Sequence, residues 1–196
     1  MNLTESKTLT NLMRAFAGES QARNRYTFAA AAAKQQKLYA VGEVFLYTAG
    51  QEKEHGEIFF NHLRKAGMKN VEITAGYPVD LQQDVLSLLQ NAHHNEYEEY
   101  EQAYPAFART AREEGFDDIA RSFEQIAVIE KTHGDRFELF ARYLQKNQLF
   151  VSDVKTGWVC LNCGHVTQAT QAPLRCPVCS HEQGYFIRLE LAPYTK

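Results

Sequence analysis

The sequence predicts a mainly α chain, in which four long helices form a bundle and a small cysteine-bearing β ribbon follows. Three observations predict it. Four stretches carry apolar residues at helical spacing. A pattern on the second stretch recurs on the fourth. After Gln148 the helical periodicity ends, and Gly, Pro, Cys and β-forming residues take over.

Helix A is read from Thr4 to Gln36, with Leu9, Leu12, Met13, Phe16 and Ala17 on one face. Helix B runs from Tyr39 to Ala66, where Gly67 serves as its C-terminal cap. Met68 to Asp80 contains Gly76 and Pro78 and reads as a long connection. Helix C runs from Leu81 to Glu114 and stops at Gly115, with Pro105 expected to kink or interrupt it. Helix D runs from Asp117 to Lys146, with Asp117 or Asp118 near its cap. Two short links and one long crossover are the connectivity of a ferritin-like four-helix bundle. A linker is expected near Asn147 to Lys155 and a ribbon from Thr156 onward, which divides the chain into 1–148 and 149–196.

Composition excludes several function classes. A net charge of -3 and a pI near 6.2 give no electrostatic reason to bind nucleic acid. No stretch approaches the ~18 to 20 uncharged apolar residues of a membrane span, and Met1 to Lys7 lacks the pattern of a signal peptide. The four cysteines all fall between Cys160 and Cys179, which suits a metal site in a reducing compartment better than a disulfide framework.

The repeat carries the chemistry. Glu52-Lys-Glu-His55-Gly-Glu-Ile-Phe59 matches Glu130-Lys-Thr-His133-Gly-Asp-Arg-Phe137, with the shared pattern EKxHG[ED]xF. Glu and His three residues apart project from one helix face and offer an oxygen and a nitrogen to one metal. A lone ExxH carries little weight, because surface helices are rich in both residues. Two repeated pairs, with Glu19 on helix A and Glu96 and Glu99 on helix C, fit the known arrangement of di-iron carboxylate bundles as a class. Several unpaired carboxylates facing a core would be costly, and a dinuclear centre removes that cost. Glu98, Glu101, Glu113 and Glu114 read as solvated charges. His62, His93, His94, His165 and His181 read as structural or exposed, with His93 or His94 able to approach the site.

Cys160-Leu-Asn-Cys163-Gly164 and Cys176-Pro177-Val-Cys179 form two CxxC knuckles. Four thiolates in tetrahedral geometry select zinc or a single iron, and residue type does not decide between them. So small a module relies on its metal to stay folded. Trp158, Tyr185 and Phe186 are its expected apolar core.

At this point the chain resembles the rubrerythrin family along essentially its whole length. The resemblance rests on Phe16-Ala-Gly-Glu19-Ser-Gln-Ala22 with Tyr26 and on the two ExxH pairs. It rests also on Glu96xxGlu99 followed by Tyr104-Pro105-x-Phe107-Ala108, and on the terminal CxxCG…CPxC. It implies a ferritin-like di-iron bundle and a rubredoxin-like ribbon. Glu52 and Glu130 would bridge two irons, Glu19 would be terminal on one, and Glu96 and His133 would be terminal on the other. His55 and Glu99 would exchange on the first iron as its oxidation state changes. Tyr26 and Tyr104 would hold ligand carboxylates, and Cys160, Cys163, Cys176 and Cys179 would hold the third iron. Ser180 departs from the Gly that many rubredoxins carry after the second knuckle.

The implied activity is reduction of hydrogen peroxide to water, an oxidative-stress defence in the cytoplasm, by a homodimer or higher homo-oligomer. Electrons would come from an external NAD(P)H-linked reductase or a rubredoxin, since the chain has no GxGxxG of its own. The alternative is a ferritin-like ferroxidase, against which the fused cysteine module argues. An O2-activating oxygenase and a non-enzymatic zinc-ribbon binding protein are further rivals.

Overall fold

The computed structural model describes residues 2–193; Met1 and the last three residues of the expected ribbon lie outside the described residues. Five α-helices build the bundle: α1 (Lys7–Gln35), α2 (Tyr39–Lys65), α3 (Val85–Glu98), α4 (Tyr104–Glu113) and α5 (Asp117–Gln145). Helix C of the sequence reading is α3 and α4 joined by a π-helical segment, Glu99–Ala103. Pro105 explains the break. It lacks the N–H that would bond the Glu101 carbonyl, and Tyr104 N–H reaches back five residues to the Glu99 carbonyl instead.

Two expected starts move. Helix A begins at Lys7 rather than Thr4, because the Ser6 hydroxyl caps Leu9 N–H at 3.1 Å. Helix C begins at Val85 rather than Leu81, because Asp84 caps Ser87 N–H at 2.9 Å. Glu114, read as a solvated charge, instead accepts from the backbone of Lys7 (3.0 Å) and Thr8 (2.8 Å), tying the end of α4 to the start of α1. Lys37, Gly67, Gly115 and Asn147 each take a positive φ just past a helix, and so turn the chain.

The bundle interior has two apolar clusters. One holds Ala22, Tyr26, Phe45, Ala49, Leu89, Ala92 and Phe137. The other holds Leu12, Ala15, Phe59, Tyr104, Phe123 and Ala127. On α1, α2, α3 and α5 the buried glutamate falls in the sequence between residues of the two clusters or at the edge of one of them.

The crossover after α2 lies against α1. Tyr77 Oη donates to the Arg14 carbonyl at 2.8 Å, and Arg25 pairs with Asp80 at 3.3 Å. The ribbon is a three-stranded antiparallel sheet of order β2-β1-β3, with β1 (Val151–Cys160), β2 (Val166–Gln171) and β3 (Phe186–Arg188). β1 thus starts inside the stretch read as linker. Side chains alternate across it. Trp158 and Cys160 face the ribbon's own core with Phe186. Val159 and Ile187 face the other way and join the bundle core. Tyr185, expected in the ribbon core, packs at its edge and stacks on Tyr39 of α2 with ring centroids 4.0 Å apart.

Candidate metal centres

Glu19 of α1, Glu52 and His55 of α2, Glu96 of α3, and Glu130 and His133 of α5 are all buried, in one layer across the bundle. The two imidazoles lie nearly parallel, centroids 5.4 Å apart. Each inward nitrogen meets a different oxygen of the same two carboxylates. His55 Nδ1 is 3.1 Å from Glu52 Oε2 and 3.0 Å from Glu130 Oε1. His133 Nδ1 is 3.0 Å from Glu52 Oε1 and 2.9 Å from Glu130 Oε2. Glu19 Oε2 stands 3.9 Å from His55 Nδ1, and Glu96 Oε2 stands 3.6 Å from His133 Nδ1. The result is two donor sets sharing Glu52 and Glu130.

These atoms are close but are not hydrogen-bonded to one another. Glu19 Oε2, both oxygens of Glu52 and of Glu130, Glu96 Oε2 and both Nδ1 atoms are buried without a hydrogen-bond partner. Buried polar atoms are normally satisfied. Two donors ~2.1 Å from one ion and at right angles to each other stand ~3.0 Å apart, which matches the spacing seen. The donor set therefore fits two metal ions.

The electrostatics point the same way. Burial, then Glu130 and Glu52, push the Glu19 carboxyl well above its usual range. Burial and Glu52 do the same to Glu96, and burial and Glu96 to Glu99. Burial would raise Glu52 too, but the two imidazoles outweigh it and hold Glu52 at about 2. Burial opposes a charge on the histidines, yet Glu130 and Glu52 hold His55 up at about 9 and His133 at about 12. Protons and metal ions would compete for the same buried donors.

Around this layer, Tyr26 Oη donates to Glu96 Oε1 and Tyr104 Oη to Glu19 Oε1. Burial and these carboxylates push both phenols well above their usual value, so both remain donors. Glu99 lies in the π segment and groups with Glu96 and Glu130. Its outer side is covered by α1 and the crossover: a Cβ on Gly18 would lie 3.8 Å from Glu99 Oε1 and 3.6 Å from the Tyr77 ring. His93 stays outside the cluster and takes the Gly134 carbonyl at 3.0 Å; His62 pairs with Ser122.

The repeat's glycines have a role that the sequence reading missed. A Cβ on Gly56 would come within 3.3 Å of Glu19 Cβ. One on Gly134 would come within 2.6 Å of the Tyr97 ring and 3.4 Å of Glu96 Cβ. Glycine after each ligand histidine lets the neighbouring glutamate-bearing helix approach. The recurrence of Gly in both copies was the available signal.

In the ribbon, Cys160, Cys163, Cys176 and Cys179 converge, with Sγ–Sγ distances of 3.8 Å (Cys160 to Cys179) and 3.6 Å (Cys163 to Cys176). Four sulfurs ~2.3 Å from one ion stand ~3.8 Å apart in a tetrahedron. The two knuckles match in their backbone bonds. Gly164 N–H donates to the Cys160 carbonyl (2.8 Å) and Ser180 N–H to the Cys176 carbonyl (2.9 Å). Gly164 and Ser180 both take positive φ, +78° and +61°.

Family models match both parts of the chain: Rubrerythrin over residues 10–141, and the rubrerythrin rubredoxin-like domain over residues 158–187. The chain belongs to the rubrerythrin family. It is 41% identical to rubrerythrin of Clostridium perfringens over 94% of this chain and 95% of that one. It is 44% identical to rubrerythrin of Porphyromonas gingivalis over 92% and 89%. Among solved structures, fully reduced, all-ferrous nigerythrin superposes with a TM-score of 0.64 at 25% identity, covering 92% of this chain and 86% of that one. A Desulfovibrio desulfuricans bacterioferritin superposes with a TM-score of 0.66 at 22% identity over 72% and 82%, a likeness of fold. In rubrerythrin terms, the Glu/His layer is the di-iron site and the four cysteines are the rubredoxin-like site.

Proposed function

We propose that the chain reduces hydrogen peroxide to two waters at the bundle site. Electrons enter through the cysteine-bound iron from an external NAD(P)H-linked reductase or a rubredoxin. One observation carries this reading: a two-metal carboxylate site and a four-thiolate site occur in one chain. Iron storage needs no second, redox-active centre. Held by Glu19, Glu52, His55, Glu96, Glu99, Glu130 and His133, two ferrous ions would supply the two electrons that reduction of peroxide consumes. Two protons complete the balance.

The residues divide the remaining work. Glu52 and Glu130 would be shared between the two ions, Glu19 would serve one, and Glu96 and His133 would serve the other. Glu19, Glu52, Glu96 and Glu130 bring four negative charges, which match two divalent ions. Glu99 would offer a fifth, in place of neutral His55, to a more positive pair, because a low-dielectric interior penalises net charge. Tyr26 and Tyr104 keep Glu96 and Glu19 oriented. A groove of about 400 Å³ between α1 and α2, lined by Phe16, Arg23, Gly56 and Phe60, reaches Glu52 and is ample for a molecule as small as peroxide.

Residues 1–148 carry the peroxide chemistry in this reading, and residues 149–196 carry electron entry. Tyr39, against which the ribbon docks, precedes Glu52 by roughly 20 Å of helix at 1.5 Å per residue. A ribbon from a second copy suits electron delivery better, which favours a homodimer or larger homo-oligomer. Free thiols fit the cytoplasm. Among the described residues no helix is long and apolar enough to cross a membrane.

The test is stoichiometric. One equivalent of peroxide added anaerobically to the reduced, iron-loaded protein oxidises both bundle irons. Glu99→Gln raises the midpoint potential of the pair, since it removes a ligand charge that favours the oxidised state. Unconsumed peroxide contradicts the activity, and an unchanged midpoint contradicts the role of Glu99.

A further inference from the structure

We propose that Arg136 sets the reduction potential of the bundle's metal pair, acting as a fixed cation beside the His133 half of the site. Arg136 lies one turn beyond His133 on α5 and is half-buried. Its Nη1 donates to Thr48 Oγ1 at 2.8 Å and to Gln51 Oε1 at 3.0 Å, both on α2. Gln51 directly precedes Glu52, and Thr48 lies one turn before it. The Thr48 hydroxyl gives its own proton to the Val44 carbonyl at 3.1 Å, so its oxygen is free to accept. The guanidinium also lies 5.1 Å from the centroid of the Tyr47 ring.

All of these partners are neutral. Among the described residues Arg136 makes no ion pair. The carboxylates whose charge reaches it are Glu52 and Glu96. Both stand against His133, at 3.0 and 3.6 Å from its Nδ1. A half-buried cation without a counter-ion of its own is thus fixed one turn from His133 and on the residue next to Glu52.

The internal repeat makes the asymmetry plain. Glu130, His133, Gly134 and Phe137 match Glu52, His55, Gly56 and Phe59, but Arg136 matches Ile58. Ile58 is 40% exposed and carries no charge. The donor atoms are nearly two-fold symmetric, and the field upon them is not.

Each one-electron oxidation of the pair adds a positive charge, which Arg136 opposes. The cation thus favours the reduced pair and eases its reloading with electrons. A unit charge ~10 Å away at an effective dielectric of ~20 alters the ratio of reduced to oxidised sites by on the order of tenfold. The inference rests on the di-iron site alone and needs no assumption about peroxide.

The experiment is a spectroelectrochemical titration of the full-length, iron-loaded protein, with the cysteine-bound iron as internal reference. Arg136→Gln keeps a polar group for α2 but removes the charge, Arg136→Met is a second neutral variant, and Arg136→Lys keeps the charge. Both neutral variants are expected to lower the bundle midpoint, so that the reduced fraction at fixed ambient potential falls by on the order of tenfold. The Lys variant is expected to stay near wild type, and the cysteine-bound iron to be unmoved throughout. Co(II) added to the metal-free neutral variants should bind more tightly than to wild type, since a repelling cation is gone. A wild-type midpoint in a neutral variant, or a shift in the Lys variant as large as in the neutral ones, overturns the proposal and leaves Arg136 a tether between α2 and α5.

Discussion

Ser180 and Gly164 occupy the same place in the two knuckles, and both turn with positive φ. A side chain in that region costs roughly 1–2 kcal/mol, so Ser180→Gly should stabilise the ribbon by about 1 kcal/mol. Slower loss of the cysteine-bound metal to a chelator would register it. Gly134 is the opposite case. Gly134→Ala drives a methyl into the Tyr97 ring and against Glu96, and should cost on the order of 1–3 kcal/mol while weakening metal binding at the His133 half. Gly50→Ala is the control: nothing lies within 4 Å of its Cβ position, so better helix propensity alone should add about 1 kcal/mol. Thermal melts of the two variants with iron loaded should move in opposite directions. Ligand chemistry was legible in the sequence because it depends on residue type and short spacing, as in ExxH and CxxC. The contact of Glu114 with the start of α1 joins residues 106 apart, and no local pattern announces it.

Among the elements, the helix ends at Gly67 and Gly115 were legible, since glycine takes positive φ readily. Those at Lys37 and Asn147 rely on less permissive residues in the same conformation. Pro105 announced an interruption, but its form was not legible. A π segment rather than a bend follows from how the freed carbonyls find new donors. The early start of β1 was hidden because Val151 to Lys155 is mostly exposed and shows no buried alternation. Docking of the ribbon was also illegible. It depends on Gly184, where a Cβ would lie only 1.7 Å from the Lys37 carbonyl oxygen. Gly184→Ala should therefore release the ribbon from the α1–α2 turn without emptying its cysteine site. Faster proteolysis near residues 147–150, with the iron–thiolate absorption retained, is the expected result.

For the molecule as a whole, burying so many acids and two histidines makes stability depend on what neutralises them. In the metal-free chain His55 and His133 bind protons more tightly than in the unfolded chain, with values of about 9 and about 12. Their contribution is fully present below the unfolded imidazole value of ~6.5 and is lost as pH rises through about 9 and then about 12. Glu19, Glu96 and Glu99 are raised as well, so their contribution fades as pH climbs above the usual carboxylate range. Among the site's acids Glu52 runs the other way, its contribution being lost as pH falls through about 2. The metal-free protein should therefore lose thermal stability steadily between pH 5 and pH 9. Iron should reverse that trend, because deprotonated ligands bind it better. Melting curves with and without chelator across that range would check both halves. The central claim, that this rubrerythrin-family chain is built to spend two electrons on peroxide, is tested most directly by anaerobic stopped-flow. The reduced, iron-loaded protein is mixed with peroxide and, separately, with O2. Fast, stoichiometric oxidation by peroxide and a slow reaction with O2 are the predicted result. Rapid O2 consumption with little response to peroxide would contradict it.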